Sequence, residues 1–401
     1  MGDHPVNPEI RLADGAFYAA DPHRHFQWMR EHAPVYWDEA AQAWGITRYD
    51  DVLAVAKDPK TFCSSGGIRP DAPAMPYMID TDDPEHKQRR GLVNKGFTLR
   101  RVQEHEPRIR AVAAELIERA KVRRRFDFVK DVAAWLPLIV IGDMLGVAPA
   151  DHERLLQWSD DMVCGTGATS LDRMQRASAA FDGYIAYQRE VIADRRAKPP
   201  KDDLVSILVH AEIDGERLGD NELLMETLLI LIGGDETTRH VISGGMYQLL
   251  RHPQQRQKLI DDASKIPTAV EEMLRWVTPI QNMARTATRD VVLRGQTIRA
   301  GQKVLLLYPS ANRDAAVFAD PFRFDVERTP NEHLAFGFGA HFCLGASLAR
   351  LELRVMFEEI LRRMPRVALA TNEPPPRRAS NFICGIEALP VSVDGEPRVR
   401  S

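Results

Sequence analysis

Cys343 lies near the end of a glycine-broken loop, Phe336-Gly337-Phe338-Gly339-Ala340-His341-Phe342-Cys343-Leu344-Gly345, with a helical pattern directly behind it. Leu353, Phe357, Ile360, Leu361 and Met364 recur there at helical spacing and mark one apolar face. A cysteine at the mouth of a helix meets backbone N–H groups without intrahelical partners and the positive end of the helix dipole. Both favour the thiolate, the form that binds metal. Gly337, Gly339 and Gly345 let the backbone turn tightly and come close to a flat ligand. The loop has the chemistry of a haem iron held by one sulfur. Phe336, Gly339, Cys343 and Gly345 taken alone would match by chance roughly 10⁻³ times along a chain of this composition.

A second unusual stretch, Gly233-Gly234-Asp235-Glu236-Thr237-Thr238, falls inside a helical pattern running from Asn221 to Arg251, with Asp220 as N-cap and Pro253 just beyond. About thirty residues at helical rise span roughly 45 Å. The run Leu228-Leu229-Ile230-Leu231-Ile232 is apolar on every side, so this helix is expected to be buried. Two glycines inside it cost roughly 1 kcal/mol each relative to alanine, and unpaired acids beside them cost more. Such a conflict between local preference and fold marks a functional site. Gly233 lies one turn before Thr237 on the same face, so its missing side chain opens space over a ligand while the hydroxyl overhangs it. Glu236 and Thr237 supply a carboxyl and a hydroxyl, the parts of a proton relay to bound dioxygen.

His86 and Arg90 stand four apart behind Asp82-Asp83-Pro84-Glu85, a good helix opening, and so share a face. Together they can hold two anionic groups side by side, and haem has two propionates. Arg285, beyond the helix break at Pro279, is placed to be another such partner. Glu272 and Arg275, three apart on a helix, can form a buried, hydrogen-bonded ion pair.

The elements that must position these groups are mostly helical. Residues 100–200 are rich in helix formers, with breaks near Pro137, Pro149 and 165–169, and 195–201 reads as a charged connector. The stretches 291–298 and 303–308 read as two short strands, and 380–395 as a terminal hairpin with Phe382, Ile383 and Cys384 at its tip. Residues 64–80 carry several glycines and prolines yet also Ile68, Met75, Tyr77, Met78 and Ile79, too apolar for a loop facing only water. A loop of that kind is expected to touch substrate. A net charge of −4 gives no reason to expect nucleic acid or an anionic membrane as partner. The four cysteines are far apart, with no C-x-x-C, which excludes zinc-ribbon and thioredoxin-like readings and suits a reducing cytoplasm. No apolar run is long enough to span a membrane or form a signal peptide.

His86…Arg90, Gly-Gly-Asp-Glu-Thr-Thr, Glu-x-x-Arg and Phe-x-x-Gly-x-x-x-Cys-x-Gly, in that order, resemble a soluble bacterial cytochrome P450 over essentially the full length. The resemblance implies a mainly α fold with a smaller β-rich lobe, 1–401 forming a single domain, and a haem-thiolate monooxygenase using haem b. Carried over, it makes Cys343 the iron ligand and assigns oxygen activation to Thr237 and Glu236. Phe336, Gly337, Gly345 and Gly233 would contact the haem, and His86, Arg90, Arg285 and His341 its propionates. Glu272 and Arg275 would be structural, linking to Arg328. Substrate would meet Ile68, Met75, Met78, Ile230, Gly233, Ile280, Met283 and Phe382.

The segments 64–71, 229–240 and Asn381-Phe382 look like those of actinobacterial P450s that oxidise the terminal methyl of the cholesterol or cholestenone side chain. A fatty acid, terpenoid or macrolide substrate stays open, as does a haem-binding protein without turnover. The chain has no flavin module or G-x-G-x-x-G, so electrons are expected from a ferredoxin and a ferredoxin reductase. Arg89, Arg90, Arg100, Arg101, Arg350 and Arg354 are candidates for a basic docking face.

Overall fold

The computed structural model describes residues 5–164, 170–212 and 215–393. Its axis is the helix Asp220–Arg251, 32 residues long, close to the expected bounds. The start differs in detail: Gly219 is the N-cap and its N–H donates to Glu222 Oε2 at 2.7 Å, while Asp220 pairs instead with Arg196. The apolar run at its middle leaves no polar face, so helices pack around it. Trp135–Met144, His152–Cys164, Leu171–Ala197, Ile266–Val277 and Ala346–Arg363 all touch it.

Two sequence expectations shift here. Pro137 does not break a helix; it sits in the first turn of Trp135–Met144, where the missing N–H has no helical partner to lose. The charged connector is shorter than expected, because the helix Leu171–Ala197 runs into it and Arg195 pairs with Asp203 at 2.7 Å. The expected break at 165–169 lies outside the described residues.

A five-stranded sheet forms the smaller lobe, with Val35–Asp38, Ala43–Ile46, Lys303–Leu306, Met283–Ala287 and Phe62–Cys63 as neighbours in that order. Ala43–Ile46 runs parallel to Lys303–Leu306, joining the start of the chain to its last third. The stretch 291–298 is a hairpin of Val291–Leu293 and Gln296–Ile298, not one strand. Arg294 and Gly295 both take positive φ there, as a two-residue hairpin turn requires. The C-terminal hairpin reaches back toward the central body, with Ile383 bridging Ile280.

Glu272 and Arg275 are fully buried and bonded through both carboxylate oxygens, at 2.7 and 2.8 Å. Around that pair the polar groups are satisfied in turn. Arg275 donates to the Asn312, Pro321 and Arg323 carbonyls, and Glu272 accepts from Arg328, Asn331 and the Asp325 N–H. Asn312 Oδ1 accepts from Leu334 N–H at 2.7 Å, two residues before Phe336. The pair therefore fixes the irregular segment that delivers the cysteine loop. Glu272→Ala strands two buried guanidinium charges and should cost about 3–5 kcal/mol, measured by denaturant unfolding. A midpoint equal to wild type would show that the pair does not hold this segment.

Candidate functional site

Between the central helix and the cysteine loop lies a cavity with about 1450 Å³ free of protein atoms, counted to its open mouth. The loop forms one wall. Gly337 N–H donates to Leu334 O, closing a tight turn, and Cys343 N–H donates to Phe336 O at 2.9 Å, closing the loop between them. Gly337 and Gly339 have φ of 67° and 79°. A Cβ on Gly339 would meet Ala56 O at 2.5 Å, so only glycine fits there. Gly345 differs from expectation: its φ is ordinary, and a Cβ on it would meet open space. What glycine provides at that position is room at the cavity wall.

Cys343 is half-buried at the cavity surface. Burial pushes its thiol up, against the Gly345 N–H, Arg90 and Arg350, which favour the charged form. The helix mouth acts in the direction the sequence predicts, and burial acts against it. A thiolate here needs a bound cation to replace the proton.

Sequence reasoning missed the loop's main anchor, Glu271. It accepts from Arg350 at 2.7 and 2.8 Å and lies 3.2 Å from His333 Nε2. Arg350 in turn lies over the Phe336 ring, 4.6 Å from its centroid. Burial opposes the Glu271 charge, but Arg350 and His333 overcome it and hold the carboxyl at about 2. Its place beside Glu272 was the available signal.

The opposite wall is the central helix. Gly233, Gly234, Thr237 and Thr238 line the cavity, and the helix passes through both glycines unbroken. A Cβ on Gly233 would meet nothing within 4 Å, whereas one on Gly234 would meet Ile141 at 2.9 Å. One glycine leaves room for a ligand and the other lets two helices touch. Thr237 Oγ1 donates to Gly233 O at 2.8 Å, on the cavity side. Glu236 does not line the cavity. It is fully buried behind the helix, paired with Arg239 at 2.8 Å and Arg378 at 2.5 Å. Arg239 and Arg378 both reach Asp160, which is partly exposed. Asp235 accepts from Ser159 Oγ at 2.7 Å.

His86, Arg90, Arg285 and His341 converge on the cavity edge. The two imidazole rings lie 4.0 Å apart, and His341 Nε2 is 3.1 Å from Ser64 Oγ. Among the described residues no carboxylate lies within ion-pair distance of Arg90, Arg285 or His341; Asp83 is 3.5 Å from His86. Arg90 and Arg285 donate only to the Phe342 and Ala284 carbonyls among the described residues. Burial and the Arg285 charge push the His341 imidazole down to about 3, and burial with Arg90 lowers that of His86. Two guanidiniums facing no carboxylate among the described residues, with two imidazoles beside them, fit a ligand that carries carboxylates at this edge.

Of the expected substrate residues, Met78, Ile230, Gly233, Ile280 and Met283 line the cavity, as do Ile79 of the same apolar loop and the unforeseen Phe97, Leu229 and Val241. Ile68, Met75 and Phe382 do not. Ile68 is buried and its carbonyl accepts from Ala284 N–H, Met75 packs against the core, and the Phe382 ring lies under Arg69, 5.4 Å from its centroid. The proposed basic face also changes. Arg89 is buried, and Arg100, Arg101, Arg350 and Arg354 each face an acid.

The family description "Cytochrome P450" matches residues 167–387. The chain belongs to the cytochrome P450 family. It is 50% identical over 389 residues to the "Steroid C26-monooxygenase" of Mycolicibacterium smegmatis, covering 96% of each chain. It is 41% identical to a "Methyl-branched lipid omega-hydroxylase" of Mycobacterium tuberculosis, again over 96% of each. Among solved structures it is similar to CYP109E1 from Bacillus megaterium in complex with testosterone, with TM-score 0.85, 34% identity, and 93% and 99% of the two chains covered.

The protein is a P450 monooxygenase, with haem iron as cofactor and a hydrophobic substrate, O₂ and redox proteins as partners. The donors present fit that cofactor: one sulfur on a wall, four cationic or imidazole side chains at the edge, and open space beside Gly233. No helix among the described residues is long and apolar enough to cross a membrane.

The two glycines should separate under mutation. Gly234→Ala overpacks Ile141 and should destabilise by about 1–3 kcal/mol. Gly233→Ala should instead gain up to about 1 kcal/mol of helix preference while weakening ligand binding. Thermal unfolding and ligand titration of both variants check this, and an equal loss of stability in the two would contradict the assignment.

Proposed function

We propose that this chain hydroxylates the terminal methyl of a sterol side chain, such as that of cholesterol or cholest-4-en-3-one. Haem b is the cofactor, a ferredoxin reduced by a ferredoxin reductase supplies electrons, and the cytoplasm is the compartment. One domain carries all of it, a reading supported by the sheet that joins the start of the chain to its last third. The observation that carries the proposal is the cavity itself, walled by Met78, Ile230, Ile280 and Met283 and open beside Gly233. Half-identical relatives named for steroid C26 oxidation support it.

When bound, a haem held by a cysteine sulfur supplies the O–O cleavage that inserts oxygen into an unactivated C–H bond. The chain's own groups do the rest. Cys343 ligates, and His86, Arg90, Arg285 and His341 hold the anionic edge. Apolar side chains exclude water and leave the substrate's end near Thr237. Its Oγ1, which donates to Gly233 O, hands on a proton, while Glu236 stands behind the helix in an ion-pair cluster with Arg239 and Arg378 that reaches the partly exposed Asp160. A fatty-acyl chain is the second reading, favoured by the methyl-branched lipid relative.

One reconstituted assay tests both the substrate and the relay. With cholest-4-en-3-one, NADH, ferredoxin and reductase, wild type should form the terminally hydroxylated product, and Thr237→Ala should consume NADH at a comparable rate with several-fold less product. Failure of any steroid to perturb the haem spectrum while a long-chain fatty acid does so would sink the sterol reading.

A further inference from the structure

Loop 64–80 supplies Met78 and Ile79 to the cavity, and its backbone donors are taken by acids rather than by a sheet or helix. Asp80 accepts from the Ile68 and Met75 N–H groups at 3.1 and 2.7 Å. Asp82 accepts from those of Ser64 and Ser65. These bonds shape the loop, and its first half is tied to the sheet, where Ile68 O accepts from Ala284 N–H and Lys303 donates to Arg69 O. Its cavity end is tied to the central helix by Glu226, whose Oε1 accepts from Met78 N–H at 2.7 Å. Arg89 braces the contact from the side. It donates to Pro76 O at 3.0 Å, pairs with Glu222 at 2.6 Å and Glu85 at 2.8 Å, and stands 3.6 Å from Glu226.

Glu226 is fully buried, its second oxygen has no hydrogen-bond partner among the described residues, and burial pushes its carboxyl up to about 7. An apolar residue would fill the position at lower cost but would leave Met78 N–H without its acceptor. Its place on the helix suggests what that cost maintains. Glu226, Ile230, Gly233 and Thr237 follow one another at four, three and four residues and so form a single stripe. The stripe runs from the loop, along the cavity wall, to the hydroxyl beside the open space.

We propose that Glu226, braced by Arg89, is a positioning residue for substrate: it fixes Met78 against the central helix and makes the cavity selective for a rigid polycyclic ligand. The inference rests on the reading of this cavity as the substrate site. A rigid ligand binds tightly only to a wall already in place, whereas a flexible chain can follow a loosened one.

The test compares holoenzyme of wild type, Glu226→Gln and Glu226→Ala. Glutamine keeps an acceptor for Met78 N–H, and alanine removes it. Hydrogen exchange of segment 75–80 should speed up at least about tenfold in Glu226→Ala. Its Kd for cholest-4-en-3-one should rise about tenfold, that for a long unbranched fatty acid less than about threefold. KM should follow Kd with kcat nearly unchanged, and Glu226→Gln should stay near wild type on every measure.

Should Glu226→Ala fail to bind haem, Glu226→Asp, which retracts the carboxylate by one methylene, reads the same quantities. Wild-type exchange and wild-type discrimination in the loosened variant overturn the proposal. So does equal weakening of both ligands. A wild type that binds no sterol refutes the substrate assignment instead, and the exchange measurement then decides by itself whether Glu226 holds the loop.

Discussion

Everything in this structure turns on a sulfur placed where burial penalises the charge it needs in order to bind metal. A thiol left alone at that spot keeps its proton. An iron cation would remove the difficulty, because a coordinating sulfur releases its proton to solvent and keeps the metal in its place. The same reasoning applies to the cavity edge, where His86, Arg90, Arg285 and His341 crowd together. Each group is costly by itself. Together they describe the outline of a flat metal-bearing ligand with carboxylates on one side.

The rest of the fold keeps those groups from relaxing. Glu272 and Arg275 pin the segment before the loop, Glu271 and Arg350 clamp the loop's first ring, and Gly339 lets the backbone sit against Ala56. On the other wall the central helix holds its acids by pairing each one behind the cavity: Glu236 with two arginines and Asp235 with Ser159. The unbroken helix through Gly233 and Gly234 shows that the glycines serve contact and space rather than a kink.

Much of this was legible in the chain alone, because the chemistry-bearing residues sit in short, strongly patterned segments. The cysteine loop, the central helix and the Glu272–Arg275 pair could be read from spacing and period. The loops resisted. Periodicity says which side of a helix is apolar but nothing about which residue of an irregular segment faces inward, so of the residues named for substrate Met78 lines the cavity while Ile68, Met75 and Phe382 do not. Long-range polar contacts were equally invisible: Glu271 meeting Arg350, Glu226 meeting Met78 N–H and Glu236 meeting Arg378 join residues 79, 148 and 142 positions apart. The burial of the thiol was hidden for a related reason. A helix mouth can be recognised locally, but the burial that outweighs it depends on the whole fold.

The most direct test of the account is the absorption spectrum of the reduced, haem-loaded protein under carbon monoxide. Ligation through Cys343 predicts the red-shifted Soret band of a thiolate-bound haem in wild type and its loss in Cys343→His. A wild type without that shift, or a Cys343→His variant that keeps it, would contradict the placement of the iron on this sulfur.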